Sequence, residues 1–189
     1  MSWIKDNFGY LCLLIFAGVS WWLVKLTGLD DFNRIIAPAH SPDYFSKGYT
    51  KLEMNELGRP KSKLSAEKLI HYSDDNMTYM TQPVMFFYND KTPPWIVKSD
   101  TGVLSADGKD LSLNGKVYVD RALAKGAREI KIHTSNLKVK PETSYAETSE
   151  WAELISPPNW TTGIGMKLVF AEPVHLELLS KVKGSYEKK

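Results

Sequence analysis

The chain has 189 residues and a mass of 21.4 kDa, enough for one domain of ordinary size and too little for two with a linker. Its 24 Lys+Arg against 22 Asp+Glu leave a formal charge of +2, which excludes both an acidic disordered tail and a basic nucleic-acid stripe. One cysteine excludes an intramolecular disulfide framework and a cysteine-built zinc cluster, so burial and sheet hydrogen bonds must hold the fold.

The first predicted element is a membrane-spanning helix. Residues Phe8 to Val24 carry no charge, and at helical rise they cover roughly 25 Å. Leu26 and Leu29, with Lys25 snorkelling, extend the run toward the ~30 Å of a bilayer's hydrocarbon. Trp3, Trp21 and Trp22 stand where aromatic rings settle at membrane interfaces. Cys12 lies within the run and reads as a small apolar residue. A cleaved signal has a shorter apolar stretch followed directly by small residues, whereas bulky Trp21-Trp22-Leu23-Val24 follows here and the A-x-A match Ala37-Pro38-Ala39 comes much later. Residues 1–29 are therefore read as a cytoplasmic stub and uncleaved anchor, 30–43 as a juxtamembrane linker including Asp30-Asp31, and 44–189 as an exported domain. The N-terminus, with Lys5, is placed in the cytoplasm. The cysteine-free remainder suits an oxidising periplasm.

Beyond the anchor the period is two, not 3.6. In chain order the apolar faces are Leu52 and Met54; Met80, Val84 and Phe86; Trp95 and Val97; Leu111, Leu113, Val117 and Val119; Ile130 and Ile132; Ile164, Met166, Leu168 and Phe170; and Val174, Leu176 and Leu178. Pro83 marks an edge, a bulge or a strand start. Turn signals at Ser73-Asp74-Asp75-Asn76, Asn89-Asp90-Lys91, Pro93-Pro94, Asp107-Gly108, Pro157-Pro158-Asn159 and Glu172-Pro173 separate the strands. Such spacing favours an antiparallel sandwich, jelly roll or spiral. The spiral gains support from a loose repeat, clearest from Asp100 to Val119, in which a strand, a break at Gly115 and a second strand follow a polar turn.

Chemistry-bearing clusters are sparse. His40, His71, His133 and His175 form no ligand pair at metal spacing, and the last three fall opposite the apolar faces. Asp74-Asp75 reads as a turn. No nucleophile elbow, P-loop or dinucleotide fingerprint occurs, so no catalytic residue, metal or cofactor is called. Lys181, Lys183, Lys188 and Lys189 read as a solvated tail or as a rim for an acidic or phosphorylated partner.

Four stretches stand out: Ser41-Pro42-Asp43-Tyr44; Tyr72-Ser73-Asp74 leading to Thr81-Gln82-Pro83-Val84; Pro94-Trp95-x-Val97-Lys98-x-Asp100 running into Leu111-x-Leu113-x-Gly115-x-Val117-x-Val119; and Glu177 to Glu187 at the end. Taken in order with the anchor, they resemble the LptC family of lipopolysaccharide export proteins. The chain departs from the family's pattern between Ser156 and Gly165. The resemblance implies an all-β fold, an open twisted β-jelly roll of antiparallel strands (OstA-like), preceded by a single transmembrane helix. It implies no enzyme and no cofactor. In that family the anchor packs beside the inner-membrane ABC transporter subunits LptF and LptG, driven by the LptB ATPase, and lipopolysaccharide passes through the jelly roll to LptA.

Alternation points Met80, Leu113, Val117, Val119, Leu168, Phe170 and Leu176 inward. The resemblance adds Tyr49 and Asn114 near the lipid path, although both fall opposite the apolar faces. Met54, Met80, Met85 and Met166 suit an adaptable lining or a core. Alternation separates inside from outside but not a filled interior from a hollow one. Partner contacts are expected on the edges: Tyr44 and Leu52 toward the transporter, and Leu178, Lys181 and Tyr186 toward LptA. The competing functions are an anchored adaptor that carries no lipid and an envelope-glycan enzyme, for which no carboxylate or nucleophile arrangement speaks.

Overall fold

The computed structural model describes residues 7–26 and 40–187, which belong to two units, Met1–Ala39 and His40–Lys189. The expectations at Trp3, Lys5, Leu29, Asp30-Asp31, Ala37-Pro38-Ala39 and Lys188-Lys189 lie outside the described residues. In the first unit α1 spans Phe8–Leu26 and is long and apolar enough to cross a membrane. Lys25 in its last turn holds its Nζ 5.9 Å from the Trp21 ring centroid, so the cation stays beside an interfacial aromatic.

The second unit is one ten-stranded antiparallel sheet. Its strands are β1 Pro42–Met54, β2 Pro60–Tyr72, β3 Thr78–Thr81, β4 Val84–Phe87, β5 Trp95–Leu104, β6 Leu111–Arg121, β7 Ile130–Lys140, β8 Tyr145–Ser156, β9 Asn159–Val169 and β10 His175–Ser185. Neighbours follow chain order, with β3 and β4 sharing one lane between β2 and β5. Within the sheet β1 pairs only with β2 and β10 only with β9, so the sheet is open.

One face of this sheet is buried, yet among the described residues of the unit no helix or second sheet covers it. The sheet covers itself by folding along a crease that crosses each full-length strand, in β2 as a change of buried phase between Ala66 and Leu69, and passes between β3 and β4. Residues with positive φ mark it: Gly48 in β1, Gln82 between β3 and β4, Gly115 in β6, Asn136 in β7, Gly165 in β9 and Lys181 in β10. In β5 and β8 the crease shows as register shifts between Ser99 and Thr101 and between Thr148 and Trp151. Bulges of this kind bend a strand and tighten its twist. The ladder groups they free find side-chain partners: Asn136 Oδ1 accepts from the Gly115 N–H at 3.2 Å, Thr134 Oγ1 donates to the Trp151 carbonyl at 2.8 Å, and Thr148 Oγ1 donates to that of Ser135 at 2.8 Å. Buried hydroxyls inside an apolar fold are thus satisfied. The break at Gly115 in the predicted repeat is one step of this crease.

Because a bulge inserts one residue, it also reverses which parity faces inward. The Gln82–Pro83 break buries Met85 and Phe87 and leaves Val84 and Phe86 on the outer face, the reverse of the alternation reading. At Gly165 the phase changes again, so Met166 and Leu168 are buried while Ile164 is exposed. In β1 the expected pair Leu52 and Met54 is exposed; Tyr49, Lys51 and Glu53 instead register against inner-face Ala66, Leu64 and Ser62. His71 likewise joins the inner side of β2 beside buried Leu69 and Thr78, not the outer one. The remaining runs hold: Leu111, Leu113, Val117, Val119, Trp95, Val97 and Ile132 are buried, and Ile130, Val174, Leu176 and Leu178 pack against them half-buried.

Candidate functional site

The crease divides the sheet into two layers whose inner faces form one continuous apolar interior. Its middle is filled: Trp95, Val97, Val117, Val119, Ile132 and Leu168 are each 0% exposed. Among the inward candidates Met80, Leu113, Val117, Val119, Leu168 and Phe170 are buried and Leu176 is half-buried. Tyr49 packs half-buried against the same cluster. Asn114 is exposed and, with Met80, Ile70 and Gly102, lines a cavity of about 320 Å³. Met80, Met85 and Met166 are core, whereas Met54 is exposed. The sequence names Met85 only as a flexible lining or core residue and not from alternation, and Phe87, Leu137 and Val139 were missed; all four lie beyond a bend that shifts the buried parity. Leu64 and Ala66 did alternate visibly and could have been found.

At its two ends the interior loosens. On β1 the inner positions are half-buried Tyr49 and the Lys51–Glu53 ion pair at 2.7 Å, and on β10 they are half-buried Leu176 and Leu178. Glu53 also accepts from Ser62 Oγ at 3.0 Å. The Lys51 hydrogen bond holds the Glu53 carboxyl below its ordinary pKa, and the same contact raises Lys51. Inward-pointing charges of this sort discourage indiscriminate edge pairing.

Opposite the crease, the strand ends of the two layers meet along a seam. Phe87 and Trp95, from one layer, clasp Phe170 from the other, with ring centroids 4.3 and 5.7 Å apart. Asn89 Nδ2 donates to the Phe170 carbonyl at 3.1 Å, Thr92 Oγ1 to Glu172 at 3.1 Å, and Lys61 Nζ to the Glu142 carbonyl at 2.8 Å. Arg121 lies at the same rim on the inner face, registered with Trp95 and Ile130. Its guanidinium carbon stands 4.5 Å from the Trp95 ring centroid. Burial lowers the Arg121 pKa.

At the start of the β-domain His40 and Tyr44 are tied to the β2–β3 turn. His40 stacks on Tyr72 at 4.0 Å and its Nδ1 is 2.9 Å from Asp74 Oδ2; Tyr44 stacks on His71 at 4.6 Å. His40, Asp74 and Asp75 come together within 4.8 Å, a convergence that the sequence reading missed. Asp75 is already committed, accepting from the Met77 N–H at 2.8 Å and the Tyr79 hydroxyl at 2.9 Å. The cluster thus works as turn and cap chemistry.

The edge candidates fall as follows. Tyr44 and Leu52 are exposed on β1. Leu178 lies inward on β10 over Gly163, whose added Cβ would sit 3.1 Å from that of Leu178. Lys181 forms the bulge of β10 with φ 50°. Tyr186 is exposed but engages Thr161 Oγ1 at 2.8 Å.

Residues 10–187 match the family described as "Lipopolysaccharide-assembly, LptC-related". The chain is 29% identical over 178 residues to the lipopolysaccharide export system protein LptC of Escherichia coli K12, covering 94% of this chain and 89% of that protein. The corresponding protein of Shigella flexneri gives the same 29% over the same 178 residues. Among solved structures, LptH of Pseudomonas aeruginosa, described as the LptA homologous periplasmic component of the lipopolysaccharide transport device, aligns with a TM-score of 0.48 and 8% identity, over 77% of this chain and 94% of that one.

Proposed function

This chain belongs to the LptC-related lipopolysaccharide-assembly family, and from that premise we propose that it is a conduit: its β-domain accepts lipopolysaccharide from an inner-membrane ABC transporter and hands it to an LptA-type partner. The supporting observation is the continuous apolar inner face, which ends in half-exposed Tyr49 at one unpaired strand and Leu176 and Leu178 at the other. Each exposed CH₂ of an acyl chain costs about 0.8 kcal/mol in water, so a lined path between the two end strands removes the main barrier to moving such a lipid across an aqueous space. The site residues proposed for the lipid are Tyr49, Met80, Leu113, Asn114, Val117, Val119, Leu168, Phe170 and Leu176. Chain entry and exit require the seam to part, since the middle of the interior is filled in the resting fold.

In this reading α1 anchors the chain in the inner membrane with its N-terminus in the cytoplasm, and the residues before His40 link it to the periplasmic jelly roll, which takes in the last residues of the expected 30–43 linker through β1 from Pro42. β1 with Tyr44 and Leu52 faces the LptF and LptG subunits, and β10 with Leu178, Lys181 and Tyr186 receives LptA by strand addition. A photocrosslinker at Met80 or Phe170 is expected to capture lipopolysaccharide during export, and one at Leu178 to capture the LptA-type partner. Silence from every interior position while export continues overturns the conduit. The filled interior supports that second reading, an anchored adaptor joining partners through its edges without carrying lipid.

A further inference from the structure

Two donors at the seam find no acceptor among the described residues. Trp95 is 0% exposed and its Nε1 is unpartnered; Arg121 Nε beside it is buried and equally unpartnered. Of the Arg121 nitrogens only Nη2 donates, to the Arg128 carbonyl at a long 3.4 Å. Among the described residues Arg121 forms no ion pair. Glu172, the carboxylate that acts on it through space, is held across the seam by Thr92. A half-buried cation facing an apolar interior with only a distant carboxylate and no direct ion pair is costly, and so is each unmade hydrogen bond. Its place is informative too. An amphiphile with its chains between the two layers brings its headgroup out at the rim, where Arg121 stands. Next to it a cavity of about 760 Å³ is lined by Arg128, Ser156 and Asn159 together with the carboxylates Glu129 and Glu187, of which Glu129 is paired with Lys131 at 2.8 Å. The planar guanidinium fork matches phosphate oxygens, and the Trp95 indole adds one more N–H.

We propose that Arg121 and Trp95 form an anion subsite at the seam, which binds a phosphate of the lipid whose acyl chains occupy the interior. The inference rests on the conduit reading and names the headgroup contact within it. The cargo supplies the direct ion pair that the fold does not, and an uncharged or dephosphorylated lipid is held by its chains alone.

The test uses the full chain in detergent micelles with three probes: phosphorylated lipid A, the same lipid with its phosphates removed, and inorganic phosphate. Arg121→Gln is expected to weaken binding of the phosphorylated lipid about tenfold and to leave the dephosphorylated lipid unchanged. Arg121→Lys keeps part of the affinity, and Trp95→Phe, which preserves the ring, loses less than Arg121→Gln; thermal unfolding of each variant reports its folding. Equal weakening of both lipids assigns Arg121 a packing role and overturns the subsite, as does unchanged binding of the phosphorylated lipid. Saturation by inorganic phosphate that neither lipid displaces makes it a free-anion site and overturns it as well. If the native chain takes up neither lipid, the conduit falls and the subsite with it, whereas chain-dependent uptake indifferent to Arg121 removes the subsite alone.

Discussion

Phe170, just beyond β9, stacks nearly parallel on Phe87 at the end of β4, with ring planes 10° apart. The contact joins the free rims of the two layers, which the crease holds together only on the far side. Phe170→Ala removes the central ring of the clasp and is expected to cost about 3–5 kcal/mol. Urea unfolding measures the loss, and amide exchange in residues 84–98 should speed up with it. Native-like stability with unchanged exchange there would show that the rims are held by other means.

Gly115 occupies the crease with φ 78°, and a Cβ added there would lie 3.1 Å from Asp100 Oδ2. Gly115→Ala combines left-handed strain of about 1–2 kcal/mol with that contact. The expected result is a lower denaturant midpoint at constant slope. A variant as stable as the native chain would mean that the backbone does not adopt the left-handed bend.

Glu53 carries a pH signature. Its carboxyl sits below the ordinary 4.5 because of hydrogen bonds from Lys51 and Ser62, with burial acting the other way. A depressed folded-state value contributes stability that is present above pH 4.5 and disappears as pH falls through the lowered value. Glu53→Gln should therefore be less stable than the native chain at neutral pH, by a small amount as befits a partly exposed pair, and the gap should close in acid. A gap that persists unchanged at low pH contradicts this assignment.

Tyr145 governs the alkaline side. Burial, reinforced by its hydrogen bond to Glu147 at 2.8 Å, pushes its pKa up from 10.0 to about 12. The raised value makes a contribution that is complete below pH 10.0 and is lost as pH rises through about 12. Stability should decline across that interval, and Tyr145→Phe should flatten the decline. An identical slope in both proteins refutes the role.

Alternation in the sequence was enough to define an all-β domain after an apolar helix and to identify inner residues such as Val117, Val119 and Leu168, because side-chain period follows directly from strand geometry. It failed at Phe86 and Ile164, where a bend shifts the phase by one residue, and at Leu52, where the end strand turns polar Lys51 and Glu53 inward. A glycine at the bend, as at Gly115, announces such a shift; Gln82 and Lys181 do so far less, since neither residue type favours left-handed backbone. The seam was invisible for another reason. Phe87, Trp95 and Phe170 are distant in the chain, and their meeting depends on the accumulated twist of the whole sheet. The resemblance to a family supplied candidate lipid contacts, but it said nothing of Arg121, whose lack of a direct ion pair among the described residues emerges only in three dimensions.

The crease runs across the strands instead of along one of them, so cross-section and length are set independently. Every full-length strand carries the bend, β3 and β4 supply its two arms between them, and the number of such lanes alone determines how far the profile extends. A further strand that bends at the same level would extend the inner face from either end without altering its cross-section, so the length of that face is a matter of counting strands.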